Sequence, residues 1–171
     1  MSGSILVTGA SGQLGKRVVE LLLERGGATR IIAATRKPES LAALKTRGVE
    51  VRAADFDDEA SLSSAFRGVE RALLISTDSL DEPGKRQRQH AAAVKALAAA
   101  GVQHVAYTSI INPVGSLITI SVDHATTEAE LEKSGLHHTV LRNNVYSDMT
   151  LGSLQRALAS GKLVNASGAG K

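Results

Sequence analysis

The sequence predicts an α/β domain built on a doubly wound parallel sheet, and three observations predict it. Short apolar runs alternate with stretches of helical periodicity along most of the chain. The first apolar run passes through a glycine-rich loop directly into a helix. The interior must be made of small branched side chains, because 43% of the 171 residues are hydrophobic but only 2% are aromatic, with no Trp. Such side chains suit helices packed closely on a parallel sheet. Strands alternating with helices of this length imply right-handed crossovers between parallel neighbours, and the length fits one domain of that kind.

Each element has a local reason. Residues 4–8 read as a buried strand and 9–12 as a loop. Residues 13–25 are helical, with Leu14, Val18, Leu21 and Leu22 on one face, and Gly26-Gly27 ends the helix. Residues 30–35 form the second strand. Pro38 suits the first turn of the next helix and Gly48 its end. Residues 49–54 form the third strand, after which Asp57 or Asp58 caps a helix running to Gly68. Residues 72–76 are the fourth strand, and 77–84 a loop. A helix then runs to Ala100 and stops at Gly101. Residues 102–108 are the fifth strand, followed by a loop holding Asn112-Pro113 and Gly115, a helix over 122–134, and a sixth strand over 137–141. Beyond Asn143 the signal weakens to one helix near 151–159 and a short strand at Leu163-Val164. The tail from Ala166 to Lys171 has loop chemistry, so the reading is of a domain cut short of its C-terminal portion. No internal repeat or low-complexity segment interrupts the alternation.

Bulk properties exclude several classes. The chain has no Cys, which removes disulfides, thiolate metal sites and cysteine nucleophiles. No apolar run approaches the ~18 residues that cross a bilayer, and Met1-Ser2-Gly3-Ser4 lacks the start of a signal peptide. A soluble, cytoplasmic protein without a membrane partner is expected. Twenty basic residues against 17 acidic ones leave a net charge of +3. That mild excess suits a small anionic ligand. A nucleic-acid surface would want a broader basic face interleaved with aromatics, so no nucleic-acid partner is expected.

The strongest motif is Thr8-Gly9-Ala10-Ser11-Gly12-Gln13-Leu14-Gly15, three glycines spaced G-x-x-G-x-x-G between a strand and a helix. Gly9 lets the chain turn off the strand, Gly12 lets backbone approach a diphosphate, and Gly15 lets the helix pack closely. Free N–H groups at the helix start then face phosphate oxygens, and the Ser11 hydroxyl adds a donor. With a strand before, a helix after and a second strand at the right distance, this is the fingerprint of a dinucleotide-binding Rossmann domain. The bland alternative is a glycine-rich turn that binds nothing. A P-loop kinase is disfavoured, since no Lys-Ser or Lys-Thr pair follows the glycines.

Cofactor choice is read at the end of the second strand. NAD-specific domains place an acid there for the ribose 2′-hydroxyl, whereas this chain has Ala34-Thr35-Arg36-Lys37. Arg36 suits a 2′-phosphate through its planar fork, so NADP(H) is the expected cofactor; the alternative is a solvated basic turn. Asp55-Phe56, after the third strand, lies where an adenine edge would sit. Its carboxylate either accepts from the adenine amino group or merely caps a turn.

These motifs resemble the NmrA-like atypical short-chain dehydrogenase/reductases, and among them the NADPH:quinone oxidoreductases and triphenylmethane-dye reductases. The resemblance covers essentially the whole chain. It rests on Val7 to Gly15, on Arg36-Lys37-Pro38, on Gly48 to Asp55, on Leu73-Leu74-Ile75-Ser76 and on Ala106-Tyr107-Thr108-Ser109. His124 with Thr127-Glu128, and Leu141-Arg142-Asn143, complete it. It implies an NADP(H) site made by the glycine loop, Arg36, the residues Ser76, Thr77 and Asp78, and the segment Asn143, Asn144, Val145, Tyr146, Ser147 and Asp148. It also implies hydride transfer to a flat electron-poor acceptor such as a quinone. Asn144-Val145 departs from the small residue and aromatic often found there, and the family's C-terminal portion, which helps enclose the acceptor, is missing.

Ligands of open α/β sheets bind at the carboxyl ends of the strands, where Ser76, Ser109 and Asn143 are expected to converge on the nicotinamide. The better-known short-chain dehydrogenases carry Tyr-x-x-x-Lys on the helix after the fifth strand. No such pair exists here; His124 and Glu128 stand in that place, one turn apart. His124 is the candidate catalytic acid, its unperturbed pKa being near 6.5; the alternative is that it fixes local geometry, with water supplying the proton. His137 and His138 point to opposite faces of a strand and His104 has no partner pattern, so no metal is expected. Lys85-Arg86-Gln87-Arg88 reads as a solvated, mobile turn. Two functions follow: an NADPH-dependent reductase of quinone-like small molecules, or a non-catalytic NADP-binding regulator or redox sensor. A sugar-nucleotide isomerase is disfavoured by the missing Tyr-x-x-x-Lys. Monomer and homodimer stay open.

Overall fold

The computed structural model describes residues 3–27, 29–144, 146–147 and 149–162. Its elements are β1 (Ser4–Val7), α1 (Gln13–Arg25), β2 (Arg30–Thr35), a 3-10 turn (Pro38–Leu41) leading into α2 (Ala42–Lys45), β3 (Glu50–Ala53) and α3 (Glu59–Phe66). There follow β4 (Arg71–Leu74), α4 (Lys85–Ala99), β5 (His104–Ile110), α5 (Ser121–Lys133), β6 (His137–Asn143) and α6 (Met149–Ser160). The expected strand at Leu163-Val164 lies outside the described residues. The strands form one sheet in the order β3-β2-β1-β4-β5-β6, and every neighbouring pair is parallel. The chain winds outward from β1 to β3, then crosses back to β4 on the other side of β1. The reversal opens a crevice between the carboxyl ends of β1 and β4.

The alternation of side chains along β1 divides the interior into two cores. Leu6 faces a cluster with Ile32, Leu62, Phe66, Leu74, Leu97, Val105, Tyr107 and Leu131, covered by α3, α4 and α5. Val7 faces the other way, toward Val19, Ile31, Ala33, Leu41, Leu44 and Val49, under α1 and α2. Each fully buried Leu, Ile or Phe contributes about 1.5–3 kcal/mol. The two aromatic members, Phe66 and Tyr107, are the largest side chains fully buried.

Three expectations need correction. On α1 the buried stripe is Gly15 and Val19, flanked by half-buried Val18, Leu22 and Leu23, while Leu21 is 42% exposed. The close approach at Gly15 sets that face, one residue round from the apolar periodicity. Secondly, Val49 and Val102 do not begin strands. Their N–H groups turn back to Leu44 O (3.1 Å) and Leu97 O (3.2 Å). Each follows a left-handed glycine, Gly48 (φ 84) or Gly101 (φ 71), in the terminating motif whose second residue bonds back into the last turn. The strands β3 and β5 therefore start later. Thirdly, Lys85-Arg86-Gln87-Arg88 does open a helix as expected, in the first turn of α4, but it is not wholly solvated: Arg86 is buried at 5% exposure.

Candidate functional site

A cavity of about 370 Å³ occupies the crevice. Its lining comes from four strand ends: Gly9, Ser11, Gly12, Gln13, Leu14 and Gly15 after β1; Thr35 and Arg36 at β2; Ala54, Asp55 and Phe56 after β3; and Ile75 to Ser79 after β4, with Gln89 of α4. Twelve of the residues expected from sequence thus meet here.

The loop after β1 explains its glycines. Gly9 is left-handed (φ 58), and a Cβ on Gly15 would stand 2.8 Å from Ala10 Cα. The close partner of Gly15 is therefore the loop itself. Ala10 does not line the cavity: it is fully buried and donates its N–H to Ala34 O (3.0 Å). The Gly12 N–H turns inward to Gly9 O (2.9 Å), and the first helical bond of α1 runs from Lys16 N–H to Gly12 O (2.9 Å). The amides of Gln13, Leu14 and Gly15 precede that bond, so they are the groups a helix start leaves for an anion. Ser11 shares a 2.9 Å hydroxyl bond with Thr35, which also accepts the Lys37 N–H (3.3 Å).

Arg36 is exposed on the rim and makes no ion pair or side-chain hydrogen bond among the described residues. Asp55 behaves as a turn residue, Oδ1 accepting the Asp57 N–H (3.0 Å), and is also part of the cavity lining. The cap of α3 is Asp58, which accepts from Ala60 N–H (2.9 Å) and Ser61 N–H (3.2 Å). Asp57 instead binds the Gln89 amide, both carboxylate oxygens lying 3.0 Å from Nε2.

The wall after β4 is held by side chains from three other elements. Ile75 N–H donates to Thr8 Oγ1 (2.8 Å), Ser76 N–H to Thr108 Oγ1 (2.9 Å) and Thr77 N–H to His90 Nε2 (3.0 Å). His90 is fully buried on α4 and was invisible to motif reading. Its signal was positional: Arg86, His90, Ala93 and Leu97 share one helical stripe, all buried.

Ser109, Asn143, Asn144, Tyr146 and Ser147 do not line this cavity, and Val145 and Asp148 lie outside the described residues. Ser109 and Asn143 do not follow their strands as expected but lie within β5 and β6. Ser109 is 2% exposed and donates to Glu128 Oε1 (2.6 Å), which is also gripped by Arg142 (3.2 Å). Burial raises the Glu128 pKa, but the bonds from Arg142 and Ser109 outweigh it and leave the carboxyl below its ordinary value. Asn143 donates to the Tyr146 hydroxyl (2.8 Å).

His124 is 2% exposed, between α4 and β5. Arg86 lies 3.1 Å from Nε2, and an arginine can only donate, so Nε2 accepts and Nδ1 carries the proton. That Nδ1–H donates to the Tyr107 hydroxyl (2.8 Å). Burial first, then the Arg86 charge, pushes the His124 pKa down to about 4. The ring is enclosed, engaged at both nitrogens and absent from the cavity lining, so the geometry lends no support to a role as catalytic acid. It orients Tyr107, whose own pKa burial raises. Nor does His124 pair with Glu128, which turns to Ser109 and Arg142. Among the described residues, no three His, Asp or Glu side chains gather as a metal site, and no helix is long and apolar enough to cross a membrane.

Comparison with known proteins decides the lineage of this arrangement. The model of the NmrA-like family matches residues 1–164. The chain belongs to the NmrA-like family. It is 43% identical over 167 residues to quinone oxidoreductase 2 of Escherichia coli, covering 98% of this chain and 57% of that protein. The structure of the NADPH-dependent quinone oxidoreductase of E. coli complexed with NADPH superposes with a TM-score of 0.84 at 43% identity, covering 92% of this chain and 54% of that one. The triphenylmethane reductase of Citrobacter sp. complexed with NADP(H) gives a TM-score of 0.83 at 38% identity, covering 90% and 55%. This NmrA-like chain therefore spans little more than half the length of these relatives.

Proposed function

We propose that this chain is the NADPH-binding portion of a reductase that passes hydride to a quinone or a similar flat, electron-poor small molecule. Arg36 carries the reading. It ends the second strand on the rim of the cavity, with no acidic partner among the described residues, at the position where an NAD-specific domain presents a carboxylate. A guanidinium there suits a 2′-phosphate, the group that separates NADP from NAD. The bare approach at Gly12 and Gly15 and the amides of Gln13, Leu14 and Gly15 suit a diphosphate. The two NmrA-like relatives crystallised with this cofactor support the same choice.

When bound, the nicotinamide supplies hydride. The chain's own share is binding and orientation. The glycine loop takes the diphosphate, Arg36 the 2′-phosphate, and Asp55 with Phe56 the adenine side. Ser76, Thr77 and Asp78 form the wall toward the reacting end. By family resemblance, Asn143, Asn144, Tyr146 and Ser147 would flank that end, although they do not line the cavity. Water protonates the reduced acceptor, because His124 is enclosed.

The test is steady-state oxidation of NADPH by benzoquinone at matched cofactor occupancy. Turnover clearly above the uncatalysed rate is expected. Tight NADPH binding without turnover would remove the reductase reading for this chain and leave a cofactor-binding protein.

A further inference from the structure

We propose that His90 is a positioning residue for the cofactor, acting through the backbone of Thr77. The inference rests on the NADPH-binding reading above. Three successive amides, those of Ile75, Ser76 and Thr77, form the cavity wall after β4, and each is pinned by a side chain from another element. Two of the pins, Thr8 and Thr108, come from the sheet. The third, His90, comes from a helix and is the last before the wall runs into the exposed loop at Asp78.

The direction of every bond in this third pin is fixed. Thr77 N–H can only donate, so His90 Nε2 accepts. His90 Nδ1 therefore carries the hydrogen and donates to Thr127 Oγ1 at 2.8 Å. The Thr127 hydroxyl in turn donates to Asp123 O at 2.7 Å. The chain of bonds thus runs from the cavity wall through α4 and ends on the backbone of α5. The ring also packs edge-on against Tyr107, centroids 5.8 Å apart, so both its tilt and its tautomer are set. Burial holds it neutral, and the Arg86 charge acts in the same direction. The group that meets the ring from α5 is the Thr127 hydroxyl, while the Asp123 carboxylate is turned to Arg86 (3.5 Å) and Gln87 (3.0 Å).

A wall fixed before binding does not have to be ordered on binding, and preorganisation of that kind appears as affinity. The test compares His90→Phe, which keeps a ring of similar volume but removes the acceptor, with His90→Gln, whose Oε1 can accept the Thr77 N–H. Affinity for NADPH and NADH is read by the change in nicotinamide fluorescence, and folding by thermal melting. His90→Phe is expected to weaken both dinucleotides by about 10-fold, the scale of one lost buried hydrogen bond. The NADPH-to-NADH ratio should stay unchanged, because Arg36 stands elsewhere on the rim. His90→Gln should recover most of the loss. Should His90→Phe fail to fold, Thr127→Val, which removes the acceptor of Nδ1–H along with the Thr127 bonds to Asp123 O and Tyr107, must still weaken both dinucleotides. Wild-type affinity in His90→Phe, or equal losses in the Phe and Gln variants at equal melting temperature, would overturn the inference while leaving the cofactor reading intact. Failure of the wild-type protein to bind either dinucleotide would overturn the reading and the inference together.

Discussion

At the scale of single residues, two positions decide, under the proposed function, whether the crevice holds a phosphorylated dinucleotide. Gly15 is required for shape. A Cβ there would press on the backbone of Ala10 at 2.8 Å, and backbone cannot swing aside as a flexible side chain does. Gly15→Ala should therefore push α1 away from its loop at an overpacking cost of about 1–3 kcal/mol. The expected outcome is a melting temperature lower by several degrees and loss of NADPH binding; unchanged melting and binding would mean that the loop relaxes freely. Arg36 is required for charge. Reversing it in Arg36→Glu replaces a phosphate donor with a repelling carboxylate, and charge-assisted bonds to such groups contribute about 1.5–3 kcal/mol. NADPH affinity should fall by roughly 10- to 100-fold while NADH changes little, as measured by fluorescence titration. Both residues were legible in the sequence as candidates, because a glycine spacing and a missing acid are local signals. The surroundings of His124 were not. A histidine in the place of a catalytic tyrosine looks the same in sequence whether it faces a substrate or an arginine, and only the packing of Arg86 against it makes the distinction.

Among elements, the interface of α4 with α5 is unusual because its centre is polar. Arg86 and His90 from α4 are buried there against His124 and Thr127 from α5. Sequence reading missed this interface for a physical reason: a run of Lys-Arg-Gln-Arg looks solvated unless the long-range partner, Asp123, is known to lie beneath it at 3.5 Å from Arg86. The two buried rings make the interface sensitive to acid. Their folded pKa values are lowered, His90 to about 3 and His124 to about 4, both by burial first, whereas an unfolded histidine titrates near 6.5. Between those limits the unfolded chain binds more protons than the folded one, so stability rises with pH across the window. The contribution is complete above about pH 6.5 and is lost as pH falls toward 4, at up to about 1.4 kcal/mol per pH unit for each ring. The urea midpoint should drop steadily between pH 7 and pH 4.5, and His90→Gln should flatten that slope. A midpoint that does not move would show that the rings are hydrated in the folded state.

For the molecule as a whole, the alternation of strands and helices was readable because each crossover carries its own apolar period and glycine stop. The sheet order then follows from right-handed crossovers and the position of the glycine loop. Strand starts were less legible: Val49 and Val102 are apolar and β-branched, yet helix termination claims their amides. The region beyond β6 was least legible, since β6 has no fully buried residue and Leu151, Leu154 and Leu158 of α6 are all exposed by half or more. Apolar residues that cover nothing give no periodic signal that separates a docked helix from a free one. Twelve of the candidate cofactor residues nevertheless converge on the crevice beside β1. The measurement that tests this most directly is calorimetric titration of the purified protein with NADPH and with NADH. A single saturating site, at least 10-fold tighter for NADPH, is the predicted result. Equal affinity for the two, or no heat with either, would contradict it.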